Sequence, residues 1–297
     1  MATNYFTRKP MVSFILLVVC GLGLHSSTSA EEKEQETPNV NSQGEAFTSM
    51  NVEMLKAYRN ERYADVAESL TLSELSEEHQ ELIANAMAKA YLGVPVGSFT
   101  ETSIQGLDDE QEPATTKNWE VTDTGQLEGE SDSTVSGLYS LSPFVALPQA
   151  PFVPETGKLV EESDTTAKFV FEFEKPKDIG SGDSIFANLS GKLNWIMEIT
   201  ASKEDQSPKV IAIKLESPLS DESSDSALEE LQVEIHYKFV KSCECYAASS
   251  LDVTIAMSMG EMGDMSMTMD VEFSNIQCAQ PLQFLLPELE ETAFLPF

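Results

Sequence analysis

The sequence predicts an α+β fold: an N-terminal helical hairpin followed by a twisted antiparallel β-sheet, either open or an incomplete barrel. Two observations predict it. Apolar residues recur near helical spacing between residues 51 and 91, and they alternate strictly with polar ones in six segments from Phe169 to Phe273.

The N-terminus comes before both. Arg8 and Lys9 precede an apolar run from Met11 to Leu24, small and polar residues follow to Ala30, and an acidic stretch opens at Glu31. A positive end, a short apolar core and a small-residue cleavage site make a secretory signal. The run is shorter than the ~20 residues a membrane-spanning helix needs. Residues 1–30 are therefore expected to be removed, with cleavage after Ala30. No later apolar stretch reaches ~18 residues, so the mature chain is expected not to span a membrane. The expected location is the periplasm or the extracellular medium.

The chain carries 18 basic and 50 acidic residues. The signal holds two of the basic and none of the acidic, which leaves 16 against 50, a net charge of −34. Such a surface repels nucleic acid and anionic lipid faces, because binding either relies on lysine and arginine neutralising phosphates. No nucleic-acid partner is expected.

Residues 31–46 are acidic and polar and read as a disordered lead-in. Residues 47–97 read as the helical hairpin. The first helix carries Val52, Leu55, Tyr58, Tyr63, Val66 and Leu70 on one side. The second starts after Ser73 or Ser76, with Glu77 and Glu78 at the positive end of its dipole. Leu82, Ile83, Ala86, Met87, Ala90 and Tyr91 form its stripe. Gly93 and Pro95 stop it.

Residues 98–160 read as an irregular acidic and proline-rich connection. Four prolines from Pro143 to Pro154 forbid a long helix or a central strand. The aromatic and aliphatic side chains between them still favour burial, so a loop packed over an apolar opening is expected.

Residues 161–297 read as the antiparallel β-domain with an apolar C-terminal tail. Phe169, Phe171 and Phe173 open the alternation; Leu193, Trp195, Met197 and Ile199 repeat it, then Ile211, Ile213 and Leu215. Leu231, Val233, Ile235, Tyr237 and Phe239 follow, then Leu251 to Met259 and Met265 to Phe273 at every second position. Half-buried antiparallel strands have this period, whereas parallel ones read as unbroken apolar runs. The tail, with Phe284, Leu285 and Leu286, is expected to dock on the body.

Chemistry-bearing patterns are scarce. The mature histidines, His79 and His236, lie among carboxylates on a helix and a strand, and His79 is expected to be exposed. No Gly-x-Ser-x-Gly elbow, His-Glu-x-x-His pair or phosphate-cradling glycine loop occurs. The chain is therefore expected to be no enzyme and to need no cofactor.

Six of the mature chain's ten methionines fall within thirteen residues, Met257, Met259, Met262, Met265, Met267 and Met269. Thioethers suit Cu(I), and the segment resembles the methionine-rich stretches of periplasmic copper chaperones. The competing reading is that Met257, Met259, Met265, Met267 and Met269 continue the inward face of a hairpin, since methionine is an adaptable filler of apolar surfaces.

Cys243, Cys245 and Cys278 remain after export, where disulfides form. Side chains two apart on a strand are about 7 Å apart, awkward for a bridge, so Cys278 is expected to pair with Cys243 or Cys245.

The alternating strands from about 168 to 274, in meander order, resemble the bacterial lipoprotein carriers of the LolA/LolB type. That resemblance implies a part-closed barrel curled round a helical lid and sheltering a hydrophobic cavity. It lies in a pattern rather than a motif, and the helices and acidic stretch that come first here depart from it, so it assigns no residue a role. The expected function is an exported, non-catalytic carrier holding a lipid or acyl chain, lined by Phe169, Phe171, Trp195, Met197, Tyr237, Met257 and Met267. The alternative is an interaction module with a plain packed core, meeting a protein partner through its helices.

Overall fold

The first helix starts where a side chain can replace a missing backbone partner. Asn51 is extended, and its Oδ1 accepts from the Met54 N–H at 3.0 Å, satisfying one of the helix's free donors. Helix α1 (Val52–Leu70) buries Leu55, Val66 and Leu70. It closes with the Ser73 N–H on the Leu70 carbonyl at 2.9 Å. Ser76 Oγ then accepts from the His79 N–H at 3.3 Å, which starts α2 (Glu77–Ala90) with two glutamates in its first turn. Its buried residues are Leu82, Ile83, Ala84, Ala86, Met87 and Ala88. The helical hairpin is thus as expected. His79 is not exposed: its ring meets Phe169 edge-on at 5.3 Å and its Nε2 lies 3.4 Å from Glu162.

These elements belong to a computed structural model that describes residues 39–40, 46–90, 94–108, 110–123, 127–129, 143–144, 152–172, 194–216, 227–258 and 264–287. The signal segment, its cleavage position Ala30, and Met259 and Met262 lie outside the described residues.

The strands of the main sheet are β4 (Gly97–Leu107), β5 (Glu110–Gln111), β6 (Thr115–Val121), β7 (Leu127–Gly129), β8 (Lys158–Glu162), β9 (Thr166–Glu172), β10 (Asn194–Ser202), β11 (Ser207–Glu216), β12 (Ala227–Val240), β13 (Cys245–Ser258) and β14 (Asp264–Cys278). All pair antiparallel, in the order β7-β6-β4-β14-β13-β12-β11-β10-β9-β8, with β5 beside β4. The fold is α+β, as the sequence predicts. Register follows from burial, because slipping one residue would turn every apolar side chain outward. Ile199 faces Ile211, Ile213 faces Val233, Leu215 faces Leu231, Ile235 faces Leu251, and Val253 faces Met269. One apolar wall crosses the sheet.

Two expectations are corrected. Residues 98–160 are not an irregular connection throughout: β4, β6 and β7 extend the sheet beyond β14. The inward positions of β4 include Glu101, Ser103 and Gln105, opposite Phe273, Val271 and Met269. Because those positions are polar, the alternation that marks the other strands is invisible there. The second correction is Phe239. A bulge opposite Tyr237, with Ser249 the extra residue on β13, shifts the register and increases the local twist, and Phe239 lies beyond it near the end of β12. Phe239 is 55 % exposed, against the Tyr246 ring at 5.4 Å.

A smaller antiparallel sheet joins β1 (Asn39–Val40), β2 (Ala46–Met50), β15 (Phe284–Pro287) and β3 (Val94–Pro95) in the order β1-β2-β15-β3. Its β1 pairing falls inside the lead-in expected to be disordered. The tail docks through β15, where Phe284 and Leu285 are buried. Within residues 137–153, Phe144 and Phe152 pack on the core, and Phe152 meets Phe171 edge-on at 4.7 Å.

Candidate functional site

The inward wall runs along each strand between two distinct ends. At one end α2 lies over β10, β11 and β13. Lys89, in its last turn, donates to the carbonyls of Asp205 and Gln206 at 2.6 and 2.9 Å. Those carbonyls belong to the β10–β11 turn, so a helix-end cation is tied to the sheet. Asp205 Oδ1 accepts from Ser207 Oγ, and its Oδ2 from the Tyr246 hydroxyl, each at 2.7 Å. Burial alone would push Asp205 up, but these hydroxyls, Ser202 and Lys209 hold it well below the usual carboxylate range.

The other end carries Trp195, Leu215, Leu231, Met257, Met265 and Met267. Met257 sits directly opposite Met265. Burial falls along β14 from Phe273 and Val271, through Met269, to half-buried Met267 and Met265. Of the candidate lining residues, Phe169, Phe171, Trp195, Met197, Tyr237 and Met257 are buried and share this wall, and Met267 stands at its rim. The four described methionines of the cluster line one face of the β13–β14 hairpin in continuity with Val253 and Val271.

Three polar features interrupt the wall. Glu101, 2 % exposed, accepts from Trp119 Nε1 at 2.8 Å. Burial pushes Glu101 above the usual carboxylate range, against the pull of the Trp119 N–H, Lys117 and Ser103. The folded chain therefore keeps this proton to a higher pH than the unfolded chain, whose glutamates titrate at about 4.3. Its contribution to stability is full below that pH and is lost as pH rises through the raised value. Glu101→Gln keeps an acceptor for Trp119. Urea unfolding should find its stability matching wild type near pH 4 and exceeding it by about 1 kcal/mol at pH 7. A variant weaker at both pH values would mean that the charged form is favoured.

The second feature is Cys245, a buried free thiol two residues from the Cys243–Cys278 disulfide. Burial, eased slightly by the charge of Arg59, pushes it up to about 12. Of the two pairings expected for Cys278, the structure has the one with Cys243. The third feature is the Tyr237 hydroxyl together with Arg59 Nε, both buried with no hydrogen-bond partner among the described residues. A buried donor left unpaired costs about 1–3 kcal/mol.

On the outer face, His236 Nε2 lies 3.1 Å from Glu234 and 3.2 Å from Asp252. Lys168 and Lys214 flank Glu198 at 2.8 and 3.1 Å. The pairs with Asp252 and Glu198 run across strands and the one with Glu234 runs along β12, all on a solvated sheet face. Among the described residues no group of histidine, cysteine and carboxylate side chains is arranged to hold a metal ion, and no helix is long and apolar enough to cross a membrane.

With this geometry the chain is similar to a LolA superfamily protein. The solved structure is that of NE2245 from Nitrosomonas europaea, matched over 73 % of this chain and 96 % of that one at 11 % identity and a TM-score of 0.31. A second solved structure, the ywiB protein from Bacillus subtilis, matches over 60 % of this chain and 91 % of that one at 13 % identity and a TM-score of 0.09. Neither score is high enough to carry an argument about function, so the reading of the site rests on this chain's own side chains. No family model and no curated protein matches the sequence.

Sequence reasoning alone does not single out Glu101, Trp119, Arg59 or Arg62. For the arginines a signal exists. They sit at i and i+3 beside Tyr58 on a helix whose exposed charges are mostly acidic, Glu53, Glu61, Asp65 and Glu68 against Lys56.

Proposed function

We propose that the chain is an exported, non-catalytic carrier that holds a hydrophobic ligand, a lipid or acyl chain, against the inward face of its sheet. Phe169, Phe171, Trp195, Met197, Tyr237, Met257 and Met267 would line it.

One observation supports this reading above the rest: the apolar wall is wider than the helices that pack on it. Its buried apolar residues run across eight neighbouring strands, from Trp119 on β6 to Phe169 on β9, roughly 35 Å at the usual strand spacing. Two helices side by side cover about 20–24 Å. Yet Phe99, Trp119, Val271 and Phe273 on the far wing are buried as fully as Phe169 and Ile199. A sheet this wide with one apolar face buries it by curling, and a curled apolar interior suits an acyl chain. The rim is set with methionine, whose flexible side chain adapts to varied apolar shapes.

Native mass spectrometry of the chain, isolated from its host without detergent, is the test. Adducts with acyl-chain masses, lost on organic extraction and regained with added lipid, are the expected result. If the chain instead flies as its bare mass and takes up no apolar fluorescent probe, the wall is an ordinary core. The alternative, a module that meets a protein partner through α1 and α2, would then stand.

A further inference from the structure

We propose that Met257, Met265 and Met267, at the rim of the β13–β14 hairpin, form a three-thioether site for a soft monovalent cation, Cu(I) or Ag(I). The site does not depend on the carrier reading, although Met257 and Met267 belong to both.

Register brings the three together. Met257 and Met265 are directly opposite across the ladder, and Met267 is opposite Ile255, one step along the same face. Opposed side chains on such a pair start about 5 Å apart at Cβ, and diagonal ones roughly 7 Å, within reach of long side chains. Met265 and Met267, two apart on β14, share that face. Methionine is unbranched and turns about several bonds, so three sulfurs placed in this way converge on one ion without moving the backbone.

Core packing alone does not account for them. Deeper in the same two strands the inward positions hold Val253, Ile255, Val271 and Phe273, all buried. Methionine takes over where burial falls. Met257 is 8 % exposed, and Met265 and Met267 are half-buried. A half-buried side chain is a poor core filler, and it leaves an ion from solvent a way in.

The neighbours decide the kind of ion. Met257 is flanked by Leu228 on β12, and Met267 by Leu107 on β4. Neutral sulfurs in apolar surroundings do not offset a divalent charge, and thioethers suit Cu(I) rather than hard ions. Among the described residues no group of histidine, cysteine and carboxylate side chains is arranged to hold a metal ion, so these sulfurs have no harder set to compete with them there. The acidic surface, 50 acidic residues against 16 basic in the mature chain, gathers cations of every kind. The thioethers then select among them.

Titration of the intact chain with silver nitrate in chloride-free buffer, followed by NMR of isotope-labelled methionine methyl groups, tests this. Silver stands in for Cu(I) and needs no reductant. The methyl signals of Met257, Met265 and Met267, assigned through their leucine variants, should shift together and saturate at one equivalent. Those of exposed Met54 and buried Met87 should stay in place, and zinc nitrate should move none of them. Met257→Leu, Met265→Leu and Met267→Leu should each weaken silver binding about tenfold or more, one donor being lost from three.

Silver taken up with these signals unmoved would mean that the Cys245 thiol holds it, and would overturn the thioether site. No uptake, a parallel shift of Met54, a response to zinc, or a leucine variant that binds silver as wild type does would overturn it too. Leucine conserves the volume of methionine, and the half-buried Met265 and Met267 carry the test if Met257→Leu does not fold. None of these results bears on lipid adducts, which native mass spectra report separately.

Discussion

Phe169→Ala is expected to lower the unfolding free energy by about 3–5 kcal/mol, and Phe239→Ala by less than about 0.5 kcal/mol. The two residues share sequence parity and chemistry, so alternation alone predicts equal effects. Phe169 is fully buried in β9, opposite Ile199 and beneath the His79 ring. Truncating it removes a large apolar contact and leaves a cavity that the rigid sheet cannot collapse into. Phe239, 55 % exposed beyond the β12–β13 bulge, loses only its contact with Tyr246. Urea titrations followed by near-ultraviolet circular dichroism measure both. Similar losses for the two variants would mean that Phe239 is buried in solution, and the inward wall would have to be redrawn.

Cys278→Ser should cost roughly 3–4 kcal/mol, the chain-entropy value for a loop of this length. The bridge joins residues 35 apart. It ties the β12–β13 turn to the end of β14, so its loss frees the hairpin that carries the methionine rim at its other end. Cys245 should not substitute for it in the folded state. Its thiol is buried, and with its pKa pushed up to about 12 almost none is thiolate at neutral pH, which is the reactive form. Mass spectrometry after alkylation near pH 8 should find Cys245 unmodified in the native chain and modified once the chain is unfolded. Rapid native labelling would place Cys245 at an accessible surface, contrary to its burial. A Cys278→Ser variant as stable as wild type would show that the strand pairing alone holds this end.

Much of the sheet is legible in the residues themselves because each strand from Phe169 onward has one wet face and one dry face. Water imposes that period locally, so no partner strand is needed to read it. Both helices are legible for the same reason, with Ser76, Glu77 and Glu78 marking a start that depends on backbone donors within one turn. The strands β4 and β6 are not legible. Glu101 is buried because Trp119 and Lys117 lie across the ladder, and Thr100 and Thr102 face strand partners in β6 and β14. Those neighbours are distant along the chain, and nothing in the local sequence names them.

The candidate site divides the same way. That the wall would carry Phe169, Phe171, Trp195, Met197 and Tyr237 follows from parity. That Arg59 acts on Cys245 and Arg62 on Tyr237 follows from how α1 packs on α2 and α2 on the sheet, a result of packing between elements. The amino-acid sequence by itself determined the α+β class, the helical hairpin and the apolar face of six strands, because solvent sorts residues at periods of 3.6 and 2 within single elements. Tertiary structure alone decided that Cys243 takes Cys278, that Phe239 turns outward, and that Glu101 is buried against Trp119. Pairing, bulges and charge placement are set by atoms far apart in the chain, which only the packed fold brings within reach.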